Sequence, residues 1–286
     1  MRMWTTAATV ALLLGIGLVA LAAYGSSRWA DGTRALRSRL SPATRTSGTR
    51  TVDFHELREL PAPVQRFLRK VLVEGAPVVT AVRVRHEGEF NMSEAADRWR
   101  PFSSDQLVTI RPPGFDWDAR IRIIPGVMVR VHDAYVDGDG ILQVALFGLF
   151  SVVSLRGRGE IAAGELMRFL AEAAWYPTAL LPSQGVRWTE VNGRAARAEL
   201  ADGEVLVRLM FRFNDQDLIE SVEAASRGRM AGREIVPTPW RGRFWDYEQR
   251  GGMLVPLQGE VAWLLPGGSK PYWRGRITSL EYQFAR

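Results

Sequence analysis

The chain contains no cysteine. That excludes disulfides, thiolate metal sites, cysteine nucleophiles and lipid attachment through a thiol. Histidine is almost as scarce. His55, His86 and His132 are the whole set, and none stands at the close spacing of an H-E-x-x-H ligand pair. Neither a metal nor a cofactor is expected. The G-x-S-x-G elbow, the P-loop and the dinucleotide fingerprint are missing as well. An active site can still be assembled from scattered residues, so the absence of a motif does not by itself exclude an enzyme.

Acid is nearly lacking at the start of the chain. Arg2, Arg28, Arg34, Arg37, Arg39, Arg45 and Arg50 precede residue 51, with Asp31 the single acid among them. The formal charge of +6 therefore belongs to this segment, and the remainder is close to neutral. A nucleic-acid-binding domain carries its excess charge on its folded part, so nucleic acid is not the expected partner. Met3 to Gly25 hold no charge at all. As a helix they would span about 34 Å at about 1.5 Å per residue, against a hydrocarbon core about 30 Å thick. Trp4 and Tyr24 sit where interfacial aromatics belong.

Residues 1–27 are therefore expected to form a transmembrane anchor or uncleaved signal, and the protein to be a single-pass membrane protein with the bilayer as a partner. Residues 28–52 are expected to form a basic juxtamembrane linker, with Arg28, Arg34, Arg37, Arg39 and Arg45 facing lipid headgroups. Ala20-Leu21-Ala22 also resembles a signal-peptidase site. The side of the membrane stays open. The arginine count places the domain in the cytoplasm, whereas an export signal places it outside.

From residue 53 to 286 a single β-rich domain is expected. Asp53 and Glu56 have capping-box spacing. Pro63 suits a first helical turn, and Val64, Phe67, Leu68, Val71 and Leu72 form one apolar face. The period then changes to two. Val82, Val84, His86, Gly88 and Phe90 alternate with charged residues, as do Phe115, Trp117, Ala119, Ile121 and Ile123, and Val205, Val207, Leu209, Phe211 and Phe213 make a third series. Each series reads as a half-buried antiparallel strand. Asp137-Gly138, Asn192-Gly193, Asp202-Gly203 and Gly251-Gly252 mark turns. One helix, with Leu166, Phe169, Leu170 and Ala173 on a face, interrupts the strands. The expected fold is mainly β with a few helices (α+β): a curved antiparallel sheet or open half-barrel with helices on its concave side.

Ten tryptophans and twelve phenylalanines are the most distinctive content. Trp117, Phe169, Trp175, Tyr176, Trp240, Phe244 and Trp245 are the candidates for lining an apolar pocket; the plainer alternative is that they fill a core. Glu172, Asp246 and Glu248 become acid–base candidates if they are buried. Asp116 and Asp118 share a face with Arg120 and Arg122, which reads as a solvated, charge-balanced surface.

Leu60-Pro61-Ala62-Pro63-Val64-Gln65-Arg66-Phe67-Leu68, Pro113-Gly114-Phe115-Asp116-Trp117-Asp118-Ala119, Gly164-Glu165-Leu166 through Trp175-Tyr176-Pro177, and Pro239-Trp240 through Tyr247 resemble a bacterial domain-of-unknown-function family over about residues 60 to 282. Arg111-Pro112-Pro113-Gly114-Phe115-Asp116-Trp117 and Phe211-Arg212-Phe213-Asn214-Asp215-Gln216-Asp217-Leu218-Ile219 resemble stretches of periplasmic lipoprotein carriers. That resemblance implies an open β half-barrel with helices plugging a cavity for acyl chains. The functional expectation is a membrane-tethered, non-catalytic binding module for a lipid or other apolar molecule. The alternatives are a membrane-associated hydrolase and a structural or interaction protein of the envelope.

Overall fold

The computed structural model describes residues 2–40, 51–93, 96–232 and 234–285. A long helix, α1 (Arg2–Arg39), comes first, and α2 (Ala62–Val71) follows. Six strands come next: β1 (Val79–Asn91), β2 (Trp99–Thr109), β3 (Gly114–Ile124), β4 (Val127–Val136), β5 (Asp139–Leu146) and β6 (Phe150–Gly157). The helix α3 (Glu160–Glu172) and three short 3-10 turns lead to seven more: β7 (Arg187–Asn192), β8 (Ala195–Asp202), β9 (Val205–Phe213), β10 (Ile219–Ala231), β11 (Glu234–Arg250), β12 (Met253–Leu265) and β13 (Gly268–Phe284).

All thirteen strands form one antiparallel sheet, ordered β6-β5-β4-β3-β2-β1-β13-β12-β11-β10-β9-β8-β7. It consists of two meanders joined where β13 pairs with β1. The edges are β6 and β7, so the sheet stays open. The alternating series behave as their period demands. Phe115, Trp117, Ala119 and Ile121 are buried on one face of β3, and Val207, Leu209, Phe211 and Phe213 on one face of β9. Asp137-Gly138, Asn192-Gly193, Asp202-Gly203 and Gly251-Gly252 each lie at the turn between consecutive strands.

The helix α3 links the two edge strands in sequence and the two wings of the sheet in space. It packs on β4, β5 and β6 of one wing and on β9 and β10 of the other. A sheet whose two wings meet one helix must curve around it. Leu166 and Leu170 of α3 and Val64, Phe67 and Leu68 of α2 fill this side together with Phe115, Tyr135 and Phe211. Each such side chain contributes about 1.5–3 kcal/mol on burial. The capping box expected at Asp53 and Glu56 is half made. Asp53 accepts from the His55 N–H at 2.8 Å, but Glu56 instead accepts from the backbone N–H and hydroxyl of Ser183.

The expected membrane placement is overturned. Among the described residues no helix is long and apolar enough to cross a membrane. The last part of α1 lies against the sheet, on the face of β3 and β4 opposite α3. Trp29 is 4% exposed; its indole donates to Asp118 at 2.9 Å and stacks on His132 at 4.4 Å. Thr33 Oγ1 donates to Asp118 at 3.1 Å. Arg37 pairs with Asp105 and Asp116, at 2.6 and 2.8 Å, and Arg39 pairs with Asp137. Arg34 pairs with Asp31 within the helix, Arg28 is exposed, and Arg45 lies outside the described residues. Two of the arginines expected at lipid headgroups thus neutralise carboxylates of the sheet. The outer face at Asp116 is correspondingly not solvated: its carboxylate is fully buried under α1 and is also bonded to His132 Nδ1 at 2.7 Å.

Candidate functional site

Inside the curve of the sheet lies a cavity of about 450 Å³. Period-two alternation supplies its walls. Trp117 and Ile121 come from β3, Val129 and Val131 from β4, and Leu142 and Val144 from β5. Trp240 and Phe244 come from β11, Trp263 from β12, and Tyr272 and Trp273 from β13. The size falls within the usual range for small-molecule sites, about 300–1,000 Å³.

Glycines make the room. Gly259 pairs with Gly275, and Gly275 pairs with Gly88, across three adjacent strands. The Trp273 ring lies so close over Gly275 that a Cβ there would stand 2.5 Å from it. At Gly88 a Cβ would stand 2.0 Å from the Arg274 carbonyl oxygen. A side chain at Gly275 would push Trp273 off the sheet.

One wall carries charge. Three residues of α3 at i, i+3 and i+7, Glu165, Arg168 and Glu172, share the face that looks inward. Arg168 Nη1 donates to Asp133 of β4 at 2.5 Å and Nε to Glu172 at 2.7 Å. Its guanidinium lies over the rings of Trp117 and Phe115, at 4.9 and 5.1 Å. Glu172 also accepts from Gln106 at 2.6 Å. Arg227 of β10 stands 3.7 Å from Glu165 and lies over Trp240 at 5.1 Å.

Burial above all, and then the Asp133 carboxylate, push the Glu165 carboxyl well above the ordinary range. Burial alone would lower Arg168, but Glu172 and Asp133 more than offset it and hold the guanidinium charged. Behind this wall His86 packs against Trp175, with ring centroids 4.8 Å apart. Burial, assisted by Arg168, lowers its pKa to about 3, so the ring is neutral.

The structure brings four of the expected aromatics to the cavity, Trp117, Trp175, Trp240 and Phe244. Phe169 and Tyr176 pack on each other in the core, and the Tyr176 hydroxyl donates to the Phe169 carbonyl at 2.9 Å. Trp245 is 41% exposed and faces away from the cavity. Of the acids, Glu172 is buried and lines the cavity, whereas Asp246 and Glu248 are exposed. Asp133, Glu165, Arg168 and Arg227 were missed. The one signal for them in the sequence is the spacing of Glu165, Arg168 and Glu172 beside the apolar stripe of α3. Among the described residues no cluster of acids and histidines could hold a metal ion.

A model described as a family of unknown function (DUF6920) matches residues 58–282. No curated protein matches the chain. Among solved structures, a LolA superfamily protein from Nitrosomonas europaea is similar, with 8% identity and a TM-score of 0.34 over 77% of this chain and 92% of that one. A β-barrel-like protein of the domain of unknown function DUF1849 from Brucella abortus is similar at 9% identity and a TM-score of 0.22, over 72% of this chain and 99% of that one.

Proposed function

The chain belongs to DUF6920, a family of unknown function, and we propose that its β-rich domain, residues 53–286, is a binding module for a lipid or other apolar small molecule. The cavity carries this reading. It is walled largely by aromatic and aliphatic side chains. A packed interior without such a space would instead have favoured a structural or interaction protein.

The test is binding of the neutral fluorescent probe N-phenyl-1-naphthylamine to the purified chain. Val144 lines the cavity and is half-buried, so Val144→Trp should fill the space and abolish binding while the protein stays folded. A wild-type chain that leaves the probe dark, or a filled variant that binds as well as wild type, would sink the reading.

A second reading, a hydrolase, has one observation in its favour: the buried Glu165 carboxyl in the cavity wall, whose pKa burial raises. It predicts that methyl laurate is turned over by wild type but not by Glu165→Gln. Ester recovered intact after prolonged incubation excludes it.

A further inference from the structure

Arg227 stands in the cavity wall with donors that nothing answers. Its side chain is 9% exposed and lines the cavity. A guanidinium is a fork of N–H donors and accepts nothing. Among the described residues this one has two contacts: Glu165 at 3.7 Å, beyond hydrogen-bond reach, and the face of the Trp240 ring at 5.1 Å. The indole nitrogens of Trp117 and Trp175 lack partners too, but they are closed in by their surroundings. The Arg227 nitrogens make no hydrogen bond and are not closed in, so open space adjoins them, and the cavity is the space this residue lines. The other guanidinium of the wall, Arg168, is committed to Asp133 and Glu172.

Glu165 counts in one state at a time. Ionised, it would answer the charge of Arg227 across 3.7 Å. Burial first, and then Asp133, favour its neutral form, while Arg227 and Arg168 pull the other way. In the neutral form the carboxylates left in the wall are Asp133 and Glu172, both on Arg168, and Arg227 is a buried cation without an anion. A buried charge is costly unless it is paired. An anion brought to Arg227 supplies the pair, and its own charge beside Glu165 favours that same neutral form. The guanidinium fork matches the two oxygens of a carboxylate. The remaining wall at Ile121, Val129, Val131, Leu142 and Val144 is aliphatic and suits a hydrocarbon chain.

We propose that the cavity takes a long-chain carboxylate, its chain against the aliphatic side chains of β3, β4 and β5 and its head paired with the Arg227 guanidinium. This rests on the binding-module reading above and names its ligand class.

Displacement of bound N-phenyl-1-naphthylamine by laurate, lauramide and dodecylammonium tests it on the full chain. Lauramide keeps the chain and the shape of the head without the charge; dodecylammonium reverses the charge. Laurate should displace the probe at about tenfold lower concentration than either. Arg227→Met leaves an unbranched side chain over Trp240 and removes the cation, so it should erase that factor while binding the probe as wild type does. Arg241→Met, which removes a cation paired with Glu223 and outside the cavity lining, should change nothing. Should Arg227→Met misfold, laurate labelled with carbon-13 at its carboxyl and bound to wild type gives the answer. Its carboxyl resonance should stay at the ionised position at pH values where laurate in detergent micelles has taken up its proton.

Displacement by lauramide or dodecylammonium as good as that by laurate, a laurate preference that survives in Arg227→Met, or a bound carboxyl that titrates as it does in micelles overturns the proposal. A probe that never binds sinks the binding reading itself, which is a different outcome.

Discussion

Arg37, near the end of α1, donates from Nε to the fully buried carboxylate of Asp116 at 2.8 Å. The same guanidinium reaches Asp105 on the next strand, through Nη1 to its carboxylate at 2.6 Å and Nη2 to its carbonyl at 2.7 Å. A rigid guanidinium fork can bridge two carboxylates where an ammonium cannot. Arg37→Ala leaves Asp116 buried with only His132 beside it, and should destabilise the fold by about 3 kcal/mol. Arg37→Lys should recover only part of that. Urea denaturation of the three proteins checks both statements; an alanine variant as stable as wild type would mean that the docking of α1 contributes nothing.

Glu165 should make stability fall as pH rises. Its folded pKa is raised above an ordinary value of 4.5, mainly by burial. The folded state therefore holds a proton that the unfolded state has lost. The stabilisation is complete below pH 4.5 and is lost as pH climbs toward the raised folded value, by about 1.4 kcal/mol per pH unit at most. Glu165→Gln should remove this slope and be nearly neutral near pH 5. Denaturant midpoints across pH, variant against wild type, measure it.

His86 acts in the opposite direction. Its folded pKa is lowered from 6.5 to about 3, first by burial and then by Arg168. As pH falls below 6.5 the unfolded chain takes up a proton that the folded chain refuses, so stability drops down to about pH 3. In His86→Leu that acid-side slope should vanish, whatever the change in absolute stability. By NMR the His86 ring should stay in its neutral form throughout the range from about pH 5 to 8; a midpoint inside it would refute the argument.

Gly88→Ala should be among the most damaging single-methyl changes. The added Cβ meets a backbone carbonyl, Arg274 O, at 2.0 Å, and no side-chain rotation relieves it. The β1–β13 pairing joins the two halves of the sheet, so strain there should lower stability by about 2–4 kcal/mol. Thermal unfolding measures the loss, and a shift within error of wild type would show that the strands separate at little cost.

Much of the β-architecture was legible from local pattern. Val82 through Phe90, Phe115 through Ile123 and Val205 through Phe213 declare two faces by their period, and the Asp-Gly and Asn-Gly pairs declare the turns. The apolar stripe of α2 and four of the cavity aromatics, Trp117, Trp175, Trp240 and Phe244, could be named from composition and clustering. What covers the second face of a strand could not. The row of Asp116 and Asp118 looks like a wet surface until α1 lies on it, and the uncharged stretch of α1 looks like a span, although among the described residues no helix is long and apolar enough to cross a membrane.

The charged wall was hidden for a related reason. Asp133, Glu165 and Arg227 lie on β4, α3 and β10, far apart in sequence, and they converge only because the sheet curves until both wings touch α3. Periodicity is set by neighbouring residues along one element, so the sequence by itself determined the strands and their inward faces. The pairing of β1 with β13, the glycine row beneath Trp273 and the unmet indoles of Trp117 and Trp175 depend on contacts between distant segments. Those contacts, and with them the cavity, exist only in the tertiary fold.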